Sequence, residues 1–272
     1  MEQLRIGVGD GLVLDALADG PADGTVVLLL HGFPQSAWSW REVWPALVAE
    51  GFRVVAPDQR GYSPDARPVG VEHYRMTSLV ADAVAVLDAV GADHAHVVGH
   101  DWGAAVAWHL AGRHPDRVRT LTAVSVPHPL AFVEALRTDT DQRHRSRYMK
   151  DWLDPGAEEQ LLAGGLQQVF GGVPGVDASA YVDRLREPGA LTAALSWYRA
   201  QSLDDLDGLG PITAPTMHVW SDGDEALGPA GAHGTAAHVA GPYRFEVLHG
   251  VSHWIPEQAP AELSRLLLEH LR

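Results

Sequence analysis

Gly99-His100-Asp101-Trp102-Gly103 is the stretch whose reading decides the fold. It follows a short strand-like run, residues 96–99, and opens an alanine-rich helical run, residues 104–112. Glycine on both flanks lets the backbone turn sharply from strand to helix, which pushes the central side chain into the open. The central residue of such a turn is usually serine; here it is Asp101. A carboxylate is already anionic at neutral pH and needs no base to become a nucleophile. The helix N-terminus beneath it also favours the charged form. The plain alternative is an aspartate that caps a glycine-flanked helix.

Working outward, the flanking sequence alternates strand and helix. Residues 12–17, 25–30, 52–56, 96–99 and 119–126 read as strands, the second of them a buried apolar run. A helix opened by Thr77 carries Leu79, Val80, Ala83, Val84, Val86, Leu87 and Val90 at helical spacing and stops at Gly91. The alternation predicts an α/β fold with a mostly parallel, doubly wound sheet covered on both faces. From about residue 128 to 211 strands vanish. Charge density rises (RTDTDQRHRSRYMKDW, residues 137–152), and helical stretches are separated by Pro-Gly and Gly-Gly breaks. Strand patterns resume at 216–220 and 244–248, and an amphipathic helix covers 261–271. The expected organisation is a core of residues 1–127 and 212–272, interrupted by a helical cap, residues 128–211.

Composition narrows the function. The chain has 272 residues, of which 46% are hydrophobic and 20% charged, which excludes disordered and fibrous classes. Twenty basic residues against thirty-five acidic ones give a net charge of −15, which repels nucleic acid and anionic membranes. The charge favours neutral or cationic small-molecule substrates. There are no cysteines, so a disulfide scaffold, a thiolate nucleophile and a cysteine-based zinc site are excluded. The longest apolar run is about residues 26–30, far below the ~20 residues a membrane span needs. The N-terminal sequence lacks a secretory pattern, so the expected location is cytoplasmic.

Three further stretches carry chemistry. His31-Gly32-Phe33-Pro34 follows the buried strand; a turn there can aim the Phe33 N–H, together with the Trp102 N–H, at an oxyanion. Gly250-Val251-Ser252-His253-Trp254 follows the last strand and places His253 where it can reach a neighbouring strand's end. Trp220-Ser221-Asp222-Gly223-Asp224 also lies just past a strand, and either carboxylate there could orient a histidine; the other would cap the turn beside Gly223.

HGFP (31–34), APDQRGYSPDARP (56–68), GHDWGAAVAW (99–108), WSDGD (220–224) and GVSHW (250–254) run in order through nearly all of the core. In this the chain resembles the α/β-hydrolases that use an aspartate nucleophile, a group holding epoxide hydrolases and haloalkane dehalogenases. The resemblance implies the chain order nucleophile, acid, histidine: Asp101, then Asp224 in preference to Asp222, then His253. It implies an alkyl–enzyme ester on Asp101, hydrolysed by water that His253 activates, with Phe33 and Trp102 as the oxyanion hole. An aromatic residue at position 33 is similar to epoxide hydrolases; dehalogenases often place Asn or Glu there. Tyr148, seven residues before Pro155-Gly156, and Tyr198, within Ser196-Trp197-Tyr198-Arg199, match the cap tyrosines that donate a proton to the epoxide oxygen. Tyr181 is a weaker third choice. His31, Pro34, Trp38, His100, Trp152 and Trp254 are candidate pocket residues.

The expected function is therefore hydrolysis of a small-molecule epoxide to a vicinal diol, with water as the other reactant and neither metal nor organic cofactor. The abundance of Ala, Gly and Asp hints at a GC-rich genome, in which such hydrolases sometimes serve secondary metabolism. A haloalkane dehalogenase is the alternative, since it shares the nucleophile. A serine esterase is disfavoured because no serine sits in a Gly-x-Ser-x-Gly turn. A non-enzymatic receptor would not need all three of Asp101, Asp224 and His253. A cofactor-free oxygenase would use the histidine–acid pair without the ester. Pairing into a homodimer, through an edge strand or the cap, stays open.

Overall fold

The computed structural model describes residues 1–272. Eight strands form one sheet: β1 (Glu2–Val8), β2 (Leu12–Asp19), β3 (Val26–Leu30), β4 (Arg53–Pro57), β5 (Ala95–His100), β6 (Val118–Val124), β7 (Thr216–Ser221) and β8 (Tyr243–Leu248). Their spatial order is β1-β2-β4-β3-β5-β6-β7-β8. β2 is antiparallel to β1 and to β4, and every other pairing is parallel. The expected mostly parallel sheet is thus what the chain forms.

β3 shows why. All five of its residues, Val26 to Leu30, are buried. Val27 and Leu29 face one apolar cluster, and Val26, Leu28 and Leu30 face the other. Full burial of each such side chain is worth ~1.5–3 kcal/mol, so an uninterrupted apolar run is stable only at the centre of a sheet covered on both sides. One cover is α2 (Met76–Ala89) with α3 (Trp102–Arg113); the other is α1 (Trp44–Ala49) with α13 (Pro260–Leu271).

Between β6 and β7 the chain forms helices only. They run from α4 (Pro129–Thr138) and α5 (Thr140–Arg145) through the short α6 (Tyr148–Asp151), α7 (Ala157–Gln160) and α8 (Leu166–Val169) to α9 (Ala178–Leu185) and α10 (Ala190–Arg199). This insert packs into the same apolar cluster as α2 and α3, through Phe170, Tyr181, Leu191 and Trp197. Polar ties hold it as well: the Trp197 indole N–H donates to the Arg60 carbonyl at 2.9 Å, and Arg184 pairs with Asp58 at 2.6 Å. After β7, α11 (Pro229–Gly234) leads to β8, and α12 (Ile255–Gln258) precedes α13. No helix is long and apolar enough to cross a membrane.

Four elements, β1, α1, α11 and α12, have no counterpart in the sequence reading. β1 is an edge strand in which only Ile6 and Val8 are buried, too few to reveal a period of two. α1 is six residues long, below the length at which helical periodicity shows.

Candidate active site

The turn between β5 and α3 has the sharp geometry its glycines allow. Asp101 sits at φ 52° and ψ −121°. A Cβ on Gly99 would strike the Gly103 backbone, and one on Gly103 would strike the Leu30 carbonyl. Strain of this kind costs of order 1–3 kcal/mol and persists only where neighbours hold it. Here the Ala104 N–H donates to the Asp101 carbonyl at 2.9 Å, and strand and helix lock both sides.

The turn after β3 reaches over this carboxylate. Gly32 passes so close that a Cβ there would collide with the Asp101 side chain. The Phe33 N–H then donates to Asp101 Oδ1 at 2.7 Å, and the Trp102 N–H is a second backbone donor to the same carboxylate. The other oxygen, Oδ2, lies 3.5 Å from His253 Nε2. His253 Nδ1 meets Asp224 Oδ2 at 2.8 Å. Asp224 is wholly buried, and its Oδ1 accepts from the N–H groups of Ala226 and Leu227 at 2.8 and 2.9 Å. A carboxylate oxygen accepts, so Nδ1–H of His253 donates to the remaining oxygen, Oδ2. Asp222 lies apart and exposed, bound to His249 at 2.6 Å and to the Gly250 N–H at 2.7 Å.

The charges follow from this arrangement. Burial acts to raise the Asp101 carboxyl, but the hydrogen bond and charge of His253 outweigh it and hold the group below the usual carboxylate range. Burial acts to lower the His253 imidazolium, but the charges of Asp224 and Asp101 override it and lift it to about 10. The resting site is two carboxylates with a proton-carrying imidazole between them.

A cavity of ≈ 670 Å³ opens above Asp101 and His253, and one of ≈ 320 Å³ adjoins it. Asp101, Tyr148 and Tyr198 line both, so the two are limbs that meet at Asp101. The larger limb includes Gln160, Gln168, Phe170 and Trp254; the smaller is formed by apolar side chains such as Phe132, Val133, Leu136 and Met149. Tyr198 stacks edge-on against Trp102, Trp152 and Phe33 with ring centres 5.0, 4.8 and 5.5 Å away. Tyr148 lies 4.5 Å from Trp152. Burial pushes both phenols far above their ordinary range, and the nearby Asp101 charge adds to the shift. Both therefore keep their protons.

Other candidates lie elsewhere. His31 is fully buried behind the Phe33 turn, where Nε2 accepts from the Gln59 N–H at 3.1 Å. Burial lowers it to about 4, so it is a neutral brace between two loops and not a pocket residue. Pro34 and His100 also line neither limb. Trp38 is 41% exposed on another face, beside Trp44 and Arg41. Tyr181 is committed to Glu257, to which its hydroxyl donates at 2.8 Å. Trp152 and Trp254 do line the larger limb. Sequence reasoning passed over Ser125, at φ 69°, whose Oγ donates to the His253 carbonyl at 3.1 Å, and Arg145, which donates to the Asp224 carbonyl at 2.5 Å. No group of three or more His, Asp or Glu residues is arranged to hold a metal ion.

Comparisons with known proteins show which family the chain resembles. A family model described as the alpha/beta hydrolase fold matches residues 25–260. The AB hydrolase superfamily protein YfhM of Bacillus subtilis is 34% identical, over 97% of this chain and 96% of that protein. Epoxide hydrolase A of Mycobacterium tuberculosis is 33% identical, over 96% of this chain and 95% of its own. Among solved structures, epoxide hydrolase A of Mycobacterium thermoresistibile superposes with a TM-score of 0.83 at 30% identity, covering 100% of this chain and 98% of that one. The inhibitor complex of the Bacillus megaterium epoxide hydrolase gives 0.89 at 28% identity, covering 98% and 99%.

Proposed function

This chain belongs to the alpha/beta hydrolase fold family, and from that premise we propose that it is an epoxide hydrolase, opening an oxirane to a vicinal diol through an ester on Asp101. The observation that carries the reading is the division of labour within one carboxylate. Oδ1 is held by the Phe33 N–H, with the Trp102 N–H as a second backbone donor to the group, while Oδ2 faces His253 at the meeting point of the two limbs. Residues 128–211 act as a cap, and bring Tyr148 and Tyr198 to the same point.

Oδ2 attacks one oxirane carbon and the C–O bond to that carbon breaks. The departing oxygen would be an alkoxide, far too basic to leave unaided, so a tyrosine O–H gives it a proton. A halide, being a very weak base, would need no such acid. The step leaves a neutral ester on Asp101 and a phenolate. One of the two anions beside His253 is now gone, so its imidazolium releases its proton more readily, and the phenolate takes it. The freed imidazole then draws a proton from water, which attacks Cγ of Asp101. Oδ1 becomes the oxyanion, already accepting from the Phe33 N–H, with the Trp102 N–H as the second donor to the group. On collapse the leaving diol oxygen takes a proton from the His253 imidazolium, which regains one from the new carboxyl group, so the diol departs neutral and the carboxylate is restored. Asp224 holds the ring in the tautomer that both steps require.

A single turnover in ¹⁸O water tests this. The first diol is expected to carry no label, because its new oxygen is Oδ2 of Asp101, while the protein gains label. Label in the first diol would mean direct attack by water. Halide release from a haloalkane without any epoxide turnover would move the assignment to a dehalogenase.

A further inference from the structure

His253 is gripped by its backbone as well as by its ring. Its carbonyl accepts from His100 Nε2 at 2.9 Å and from Ser125 Oγ at 3.1 Å. His100 is fully buried, and its Nδ1 meets Gln35 Oε1 at 3.1 Å. Gln35, 1% exposed, donates from Nε2 to Glu257 Oε2 at 2.5 Å. The Glu257 side chain has no exposed surface, and its Oε1 accepts from the Tyr181 hydroxyl and from Arg41 Nη1, each at 2.8 Å. Tyr181 belongs to α9 of the cap. A buried chain of polar contacts therefore runs from the cap to the catalytic histidine; its one link without a donor is His100–Gln35, since the single N–H of the neutral His100 ring goes to the His253 carbonyl.

None of Gln35, His100, Tyr181 or Glu257 lines either limb, so substrate contact does not account for them. Packing does not account for them either. A buried carboxylate loses its hydration, and apolar side chains of similar volume often fill such a space as stably. What the polar chain adds is direction. Each link admits a narrow range of angles, and the last link fixes the peptide from which the imidazole projects.

We propose that Glu257 is a positioning residue for His253: it anchors the Gln35–His100 relay and ties it to the cap, so that the seating of α9 and the aim of the imidazole are set together. This rests on the reading of Asp101 as the ester-forming nucleophile. The two steps should feel the relay unequally. Ester formation needs Asp101 and the tyrosines, which the β5–α3 turn and other cap helices hold. Ester hydrolysis needs the imidazole aimed at one water, and a misplacement of ~1 Å costs about 10²-fold.

The test follows ester formation and decay in the full-length enzyme with styrene oxide as probe, by stopped-flow tryptophan fluorescence and quenched intact mass. In Glu257→Leu, ester formation should stay near the wild-type rate while hydrolysis falls about 10- to 100-fold, so that the ester accumulates. Glu257→Gln keeps the shape and one of the two acceptor oxygens and should recover part of the hydrolysis rate. Gln35→Met, which cuts the middle link without removing a charge, should reproduce the Glu257→Leu pattern and serves if that variant does not fold. Equal losses in both steps, or hydrolysis at the wild-type rate in the folded variants, would overturn the relay. Absence of any ester in the wild type would instead overturn the Asp101 reading.

Discussion

The reaction rests on few atoms, and the tyrosines test them most directly. Tyr148 and Tyr198 are the only acids proposed for the departing oxygen, and burial keeps both protonated. Replacing either with Phe is expected to slow ester formation by about 10²-fold or more, and replacing both to abolish it. Stopped-flow bursts measure this; a double variant with a wild-type burst would show that the proton comes from elsewhere. His253→Gln should do the reverse, forming the ester at a normal rate and trapping it for detection by mass. The residues behind these outcomes differ in how plainly the sequence announces them. Asp101, Asp224 and His253 each sit in a loop just past a strand, so position narrows the choice among fifteen histidines. Between Asp222 and Asp224 loop spacing gives only a preference; the buried Asp224 facing the ring shows the difference. Gln35 and Glu257 meet across 222 positions through one hydrogen bond, and no local pattern encodes such a meeting. Trp38 illustrates the opposite error: an aromatic side chain near a functional turn says nothing of the direction it faces, and this one faces solvent.

Among elements, the β5–α3 turn is the most demanding. Its glycines are required by close approach, since added methyl groups would meet backbone atoms that have nowhere to go. Gly103→Ala should therefore destabilise the fold by about 1–3 kcal/mol and lower the denaturant midpoint, even though alanine favours a helix. A midpoint equal to wild type would show that the contact with Leu30 is loose. This element was legible because its chemistry is local: flanking glycines, a strand before and a helix after. The parallel strands were legible for a related reason, because burial on both faces writes itself as unbroken apolar runs such as Val26–Leu30. The insert between β6 and β7 was legible only as a helical region. Its α6, α7 and α8 are four residues each, shorter than the repeat that periodicity needs, so tertiary contacts and not propensity set their limits.

At the scale of the whole molecule, buried histidines govern the response to acid. Burial holds His31, His96, His100 and His218 down to about 4, and His109 and His128 down to about 3. In the unfolded chain each titrates near ~6.5. Between these values the unfolded chain binds more protons, so stability is full above about pH 6.5 and is lost as pH falls toward 4. His253 works in the other direction. Its folded value of about 10 gives a contribution complete below about pH 6.5 and lost as pH rises through 10. Urea midpoints should thus peak near neutrality and fall steeply on the acid side; a midpoint that stays level from pH 6.5 to 4.5 would show that these rings open to water without unfolding. The two-limbed cavity has a consequence at the same scale. An oxirane with unlike arms can lie in it in two senses, related by turning the molecule end for end, and each sense offers the opposite carbon to the nucleophile. The unequal lining of the limbs favours one sense over the other, so the choice of which ring bond is cut, and with it the handedness of the product, is made by side chains remote from the bond itself.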